Sequence, residues 1–263
     1  YQHHLADGCL KVLYSTGASP DWQNRQQTLR VQALNARRAS SLLPKALVPP
    51  FGSELTDFDS MFLIGNEVTL STYGELPIRK IFFITNSAYL FTDNDVRQKS
   101  PTTFLYLATY PQALKGLDLL LEVFRQNPAL SLVVAGQYEA ERDFCAIYEQ
   151  ELYASPNILP VGVVDVTSQV FQKIRQIASY IILPSCSEGM SGSILTGMSA
   201  GLIPIVSRYC GLADDAVFLL SDSGIDCIAD TVNAFARKSL DWITAESQRA
   251  VETIRTRYAP QHF

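Results

Sequence analysis

Short uninterrupted apolar runs alternate with amphipathic stretches along most of this chain. From residue 103 to 206 the alternation is regular. Thr103–Thr109 (TFLYLAT), Leu130–Ala135 (LSLVVA), Asn157–Val161, Tyr180–Leu183 (YIIL) and Ile203–Val206 read as buried strands. Lys115–Gln126, Glu141–Ala154, Thr167–Ala178 and Ser191–Ala200 read as the helices between them, the first with Leu117, Leu120, Leu121 and Phe124 at helical spacing. Strands without polar alternation imply a parallel sheet covered on both faces. Right-handed crossovers then give a doubly wound α/β lobe, whose ligands sit at the carboxyl ends of the strands.

Upstream the pattern is thinner. Lys11–Thr16, Ser60–Ile64 and Lys80–Ile84 read as strands, and Asn24–Ser40 and Glu67–Tyr73 as helices. Three strands and two helices make half of a Rossmann-like lobe. The polar stretch Asp93–Pro101 (DNDVRQKSP) suits an exposed linker, which divides the chain into residues 1–95 and 96–263. The first residue is Tyr1 rather than methionine, so the chain reads as a fragment whose first lobe is incomplete.

Composition narrows the class. With 263 residues, 47% of them hydrophobic and 18% charged, the chain has enough apolar material for two small lobes. A net charge of -5 argues against nucleic acid as a partner. No apolar run approaches the roughly 20 residues of a membrane span. The cysteines Cys9, Cys145, Cys186, Cys210 and Cys227 are odd in number and lack a C-x-x-C pair, which reads as reduced thiols in a cytoplasmic protein without a zinc site.

Two segments carry candidate chemistry. Lys115-Gly116 stands at an expected helix start, where free N–H groups and the helix dipole attract phosphate. On its own such a lysine reads first as a solvated charge. The turn Pro184–Ser193 (PSCSEGMSGS) joins a buried strand to a helix and holds two glycines, several hydroxyls and one acid, Glu188. Glycine lets a ligand approach the backbone, serine at the helix start would cap it, and the amides there suit a diphosphate. On spacing alone, Glu188 fits a solvated acid and a grip on sugar hydroxyls equally well. In the first lobe Gly17–Pro20 and Gly65–Glu67 follow strands and would face the same cleft, with Asn66 reading foremost as an N-cap. Arg25, Arg30, Arg37 and Arg38 give a basic helix, whose default reading is a solvated face and whose sharper one is a surface for anionic lipid or a phosphorylated acceptor.

Taken together, KGLDLLLEVF (115–124), LVVAG (132–136), NILPVG (157–162), LPSCSEG (183–189) and TGMSAGLIPIV (196–206) resemble the retaining, family-4-like (group 1) glycosyltransferases in order and spacing. The resemblance implies a GT-B architecture, with two Rossmann-like lobes built on parallel doubly wound sheets. It implies transfer of a sugar from a nucleotide diphosphate donor to a hydroxyl acceptor (glycan, lipid or small molecule) with retention of configuration. Lys115 matches the lysine that neutralises the diphosphate, and Glu188 the first acid of an E-x7-E pair that contacts the transferred sugar. Gly116, Gly189, Met190, Ser191 and Gly192 match the backbone around sugar and phosphates, Gly136 the end of the second strand, and Val161 to Val163 the segment that meets the base. No metal or other cofactor is implied, since lysine and helix dipole do that work.

The departures matter as much. Thr196 stands where the second acid would grip the ribose, and threonine offers no charged bidentate acceptor. The arginine expected shortly before Lys115 is absent, with Thr109 and Tyr110 near its place. The resemblance also implies a histidine of the acceptor lobe near the reacting sugar, but the only histidines, His3, His4 and His262, lie at the chain ends. These gaps motivate a second reading, a nucleotide-sugar-binding protein with weak or no turnover. An epimerase would need more titratable groups in the cleft, and a Rossmann dehydrogenase a G-x-G-x-x-G after a strand. The expected location is cytoplasmic, with membrane contact at most peripheral to the inner face.

Overall fold

A computed structural model describes residues 8–91 and 99–262 of the chain. The expected linker lies largely outside these residues, as do His3 and His4. The apolar runs become two parallel sheets. In the first, β1 (Val12–Ser15), β2 (Ser60–Ile64) and β3 (Lys80–Ile84) stand in that order, with α1 (Pro20–Arg38) and α2 (Glu67–Ser71) between them in sequence. Met61, Leu63 and Ile78 fill one side of this sheet. Tyr14, Phe62 and Phe82 stand in register on the other side, Tyr14 and Phe82 about half exposed.

The second sheet has six strands: β4 (Ser100–Ala108), β5 (Ser131–Gly136), β6 (Ile158–Gly162), β7 (Ala178–Leu183), β8 (Ile203–Val206) and β9 (Phe218–Leu219). Their order is β6-β5-β4-β7-β8-β9, and every pairing is parallel. All residues of β7 and β8 are buried, as unbroken apolar runs demand of strands covered on both faces. The chain steps outward from β4 through β6, then returns to β7 and steps the other way. The β4–β7 boundary is therefore the topological switch point, where neighbouring crossovers part and a crevice opens at the carboxyl ends.

The helices of this lobe are α3 (Gln112–Lys115), α4 (Leu117–Gln126), α5 (Arg142–Ile147), α6 (Glu149–Ala154), α7 (Gln169–Ile177), α8 (Gly192–Ser199), α9 (Ile225–Ala236) and α10 (Leu240–Thr253). Leu117, Leu120, Leu121 and Phe124 of α4 are fully buried, as their spacing requires. An aromatic column ties α4 and α9 to one face of the sheet: Phe104 stacks on Tyr180 at 4.7 Å and meets Phe124 at 5.4 Å, and Tyr180 meets Phe235 of α9 at 5.4 Å. Among the described residues, no helix is long and apolar enough to cross a membrane.

Three expected helices differ. The run 115–126 starts two residues late because Gly116 adopts φ 82°, a left-handed conformation that ends α3 before α4 begins. The run 141–154 breaks at the buried Tyr148, whose hydroxyl donates to Glu122 at 2.7 Å. Helix α1 starts four residues early, since Ser19 caps it through Trp22 N and Pro20 occupies its first turn.

The basic face of α1 is not solvated. Arg37 pairs with Asp118 (2.7 Å) and Glu122 (3.1 Å), and Arg38 with Glu151 (2.7 Å) while lying over the Tyr148 ring. Arg30 is buried and donates to the Pro184 carbonyl at 3.1 Å, whereas Arg25 is exposed. These contacts fasten α1 to α4 and α6, and Val31 and Leu34 join the core of the larger lobe. Burial pushes the Asp118 carboxyl above its ordinary pKa, against the pull of Arg30 and Arg37. Arg37→Ala therefore leaves a fully buried acid short of its partner and is expected to cost about 3 kcal/mol in urea unfolding. Arg25→Ala, at the exposed position, is expected to cost under about 0.5 kcal/mol.

Candidate functional site

Two loops leave the sheet on either side of the switch point, 109–116 after β4 and 184–191 after β7. They are laced together by backbone. The Leu114 carbonyl accepts from Cys186 N (3.0 Å) and from Ser185 Oγ (3.3 Å). Gly116 lies so close that a Cβ there would stand 2.7 Å from Pro184 Cγ and 2.8 Å from its carbonyl oxygen. Lys115 ends α3 rather than opening a helix, one residue before the α4 cap. Its Nζ reaches Glu188 Oε1 at 2.6 Å, with only 13% and 12% of the two side chains exposed. The lysine and acid that seemed separate in sequence are thus one ion pair.

The glycine turn closes this arrangement against the smaller sheet. Ala18 N donates to the Glu188 carbonyl at 3.1 Å, which brings the Gly17–Pro20 segment to the site. A Cβ on Gly189 would meet Thr16 O at 2.1 Å and Ile64 O at 2.7 Å, the carboxyl ends of β1 and β2. Only glycine fits there. Asn86, beyond β3, donates through Nδ2 to the Met190 carbonyl (3.1 Å), so Met190 is tied down and buried. Asn66 is the N-cap its sequence suggests, and its Nδ2 also reaches Leu212 O at 3.0 Å in the larger lobe.

Ser191 occupies the N-cap position of α8, yet its hydroxyl faces Ser193 Oγ (3.1 Å) and no side chain caps the helix. The expected serine cap is therefore not made, and the first amides of α8 keep their partial positive charge without an internal acceptor. Beside that turn, a cavity of about 230 Å³ lies at the carboxyl ends of β4 to β6, lined by Leu107, Thr109, Gly136, Val163, Gly192 and Thr196 among others. Val163 is a mostly exposed rim residue. Val161 instead packs against the core and does not line the cavity, because β6 shifts register at this residue and Gly162 after it turns left-handed at φ 69°. A larger crevice of about 700 Å³ lies between α1 and the start of α9; neither Lys115 nor Glu188 lines it.

Among the described residues, no cluster of three or more His, Cys, Asp or Glu side chains has the arrangement of a metal site. Asn86 and Glu141 carried no sequence signal, being single polar residues near strand ends. Both prove to be buried against, or bonded to, the two loops.

Residues 101–244 match the model of the family described as glycosyl transferases group 1. The chain belongs to that family. Group 1 membership agrees with the fold seen in solved structures. WaaG, a glycosyltransferase involved in lipopolysaccharide biosynthesis, is 14% identical with a TM-score of 0.63 over 97% of this chain and 75% of its own. A mutant of TarM from S. aureus, in complex with fondaparinux, α-GlcNAc-glycerol and UDP, is 16% identical at TM-score 0.61, over 79% of this chain and 43% of its own. Trehalose-6-phosphate synthase, studied for glycosyl transfer with retention, is 9% identical at TM-score 0.58, over 77% of this chain and 58% of its own. At these identities the likeness is one of fold, and the chain spans under two thirds of the length of the last two. No curated protein matches the sequence.

The Gly189 contact gives a direct check. Gly189→Ala forces a methyl group onto two backbone carbonyls that cannot rotate aside and is expected to cost at least about 2 kcal/mol in thermal unfolding. Gly17→Ala, whose Cβ would find only Gly189 N at 3.7 Å, is expected to cost under about 1 kcal/mol.

Proposed function

We propose that this chain carries the donor site of a glycosyltransferase that moves a sugar from a nucleotide diphosphate to a hydroxyl acceptor with retention of configuration. The observation that carries the reading is the Lys115–Glu188 pair, held at the switch point beside the uncapped start of α8. In that pair each charge neutralises the other. A diphosphate competes with Glu188 for the ammonium and frees the carboxylate to accept hydrogen bonds from sugar hydroxyls. As the bond from the anomeric carbon to the phosphate oxygen breaks and that to the acceptor oxygen forms, negative charge grows on the departing diphosphate. Lys115 and the α8 amides stand where that charge develops, which is the condition for transition-state stabilisation. The role that a divalent ion would play thus falls to the protein, and the reaction is proposed to need none. The cavity beside Gly136 and Thr196 has the place and apolar lining for the nucleoside. Retention is supported by the LPSCSEG resemblance and by the likeness to the synthase.

Lys115→Ala should lower kcat/KM about 100-fold or more, by loss of a preorganised charge, while EDTA leaves the wild-type rate unchanged. A thermal-shift panel of uridine, guanosine, adenosine and thymidine diphosphates and their sugar conjugates identifies the donor. Wild-type turnover by Lys115→Ala would falsify the assignment.

Thr196 favours a second reading, binding without turnover, because it lines the cavity where a carboxylate would grip the ribose. The two separate cleanly: a protein that only binds shows a thermal shift with the nucleotide but no donor hydrolysis or transfer. In either case Thr196→Glu should tighten nucleotide binding about tenfold, the difference between a neutral and a charge-assisted hydrogen bond.

A further inference from the structure

Lys115 owes its place to a four-residue helix, α3, too short to hold itself. Its first residue, Gln112, is gripped from three sides. Gln112 Oε1 accepts from the Tyr106 hydroxyl at 2.8 Å, and its Nε2 donates to Thr109 O at 3.2 Å. Its backbone N–H donates to Glu141 Oε1 at 2.6 Å. Pro111, at the cap position, supplies no side-chain acceptor, so a carboxylate from the residue before α5 does the capping instead. Glu141 is only 1% exposed, and Tyr106 and Gln112 are fully buried. An acid seldom occupies such a place without a task.

We propose that Glu141 is a positioning residue for the transfer: by accepting the Gln112 N–H it fixes the α3 turn, and through that turn the Lys115 ammonium at the donor diphosphate. This rests on the donor reading of Lys115 given above.

The arrangement titrates in an accessible range. Burial raises the Glu141 carboxyl to about 6, against the Gln112 hydrogen bond and the Lys45 charge, which lower it, and with Asp143, which raises it. Lys45 from the segment after α1, Asp143 and Cys145 from α5, and Tyr106 from β4 are the titratable groups that face it. Above that pH the cap is a charge-assisted bond, roughly twice as strong as the neutral one that remains after protonation. The hold on the turn is therefore at full strength above about pH 6 and weakened below it. Global stability runs the other way. A carboxyl raised from 4.5 binds its proton more tightly folded than unfolded, so its ionisation costs stability as pH rises from 4.5 to about 6. The ionised acid holds the turn at the expense of the fold.

That opposition makes the test specific. With inorganic pyrophosphate as the probe, Glu141→Gln is expected to bind about fivefold more weakly than wild type at pH 7.5. The wild-type to variant ratio, in which the titration of the probe cancels, falls to near one at pH 5. The variant is at the same time as stable as wild type, or more so, at pH 7.5. A ratio that does not change with pH, or a variant that is destabilised in step with its weaker binding, overturns the proposal. Should the variant not fold, exchange of the wild-type Gln112 amide, corrected for its intrinsic rate, decides: protection reduced below pH 6 supports the proposal, and constant protection overturns it. Lys115→Ala in the same titration separates the two ideas. Unchanged pyrophosphate affinity there removes the donor reading itself, whereas a loss there beside a flat Glu141→Gln ratio removes only the role of Glu141.

Discussion

A parallel sheet whose strand order reverses cannot cover both sides of the reversal with one crossover. At the β4–β7 boundary the loop after β4 leads toward β5 and the loop after β7 toward β8, in opposite directions along the sheet. Whatever side chains those two loops carry must share the gap between them. That is why Lys115 and Glu188, 73 residues apart, come within 2.6 Å. The contact is a consequence of topology, fixed by the backbone bonds from Cys186 and Ser185 to the Leu114 carbonyl.

Electrostatics then join the smaller sheet to this edge. The chain is acidic overall, yet α1 carries four arginines, and three of them are spent on the larger lobe. Arg37 and Arg38 meet the acids of α4 and α6, while Arg30 caps the Pro184 carbonyl beside the glycine turn. Surface pairs of this kind would contribute little. Here one partner, Asp118, is fully buried and another, Glu151, nearly so, which makes the pairs conditions of the packing rather than decoration.

Much of this was legible in the sequence, and the remainder failed for identifiable reasons. Strands such as YIIL and IPIV are apolar throughout because both faces are covered, so the doubly wound sheet could be read from pattern alone. The two loops announced themselves through Lys115-Gly116 and the SEGMSG turn, since glycine is required where backbone meets backbone. Local pattern could not tell that Gly116 is left-handed and splits one helix into two. Nor could it tell that Val161 packs inward while Val163 lies out on the rim, because the register shift in β6 and the left-handed Gly162 between them break the alternation that would put both on one face. The arginines of α1 read as solvated because their partners lie from 81 to 154 residues away. The segment beyond Val206, with β9, α9 and α10, lacks the strict alternation of the rest, since β9 is a two-residue edge strand and α10 a partly exposed helix.

The distribution of unsatisfied polarity follows the same division. Among the described residues, the buried side-chain atoms without a hydrogen-bond partner are Trp22 Nε1, Gln27 Oε1, Arg30 Nη1, Asp118 Oδ1 and Ser187 Oγ. Three lie on α1, one on the helix it packs against, and one in the glycine turn. Each such atom costs on the order of 1–3 kcal/mol, and none falls in the aromatic column or the strands of the larger sheet. The larger lobe's share is Asp118, which pairs with Arg37, and Ser187, which faces Trp22 across a small void, so the polar cost is concentrated where α1 and the smaller sheet meet that lobe. The switch-point edge that holds Lys115 and Glu188 borders that seam, with Ser187 Oγ unpartnered one residue from Glu188, and its two loops are held by the bonds from Cys186 and Ser185 to the Leu114 carbonyl.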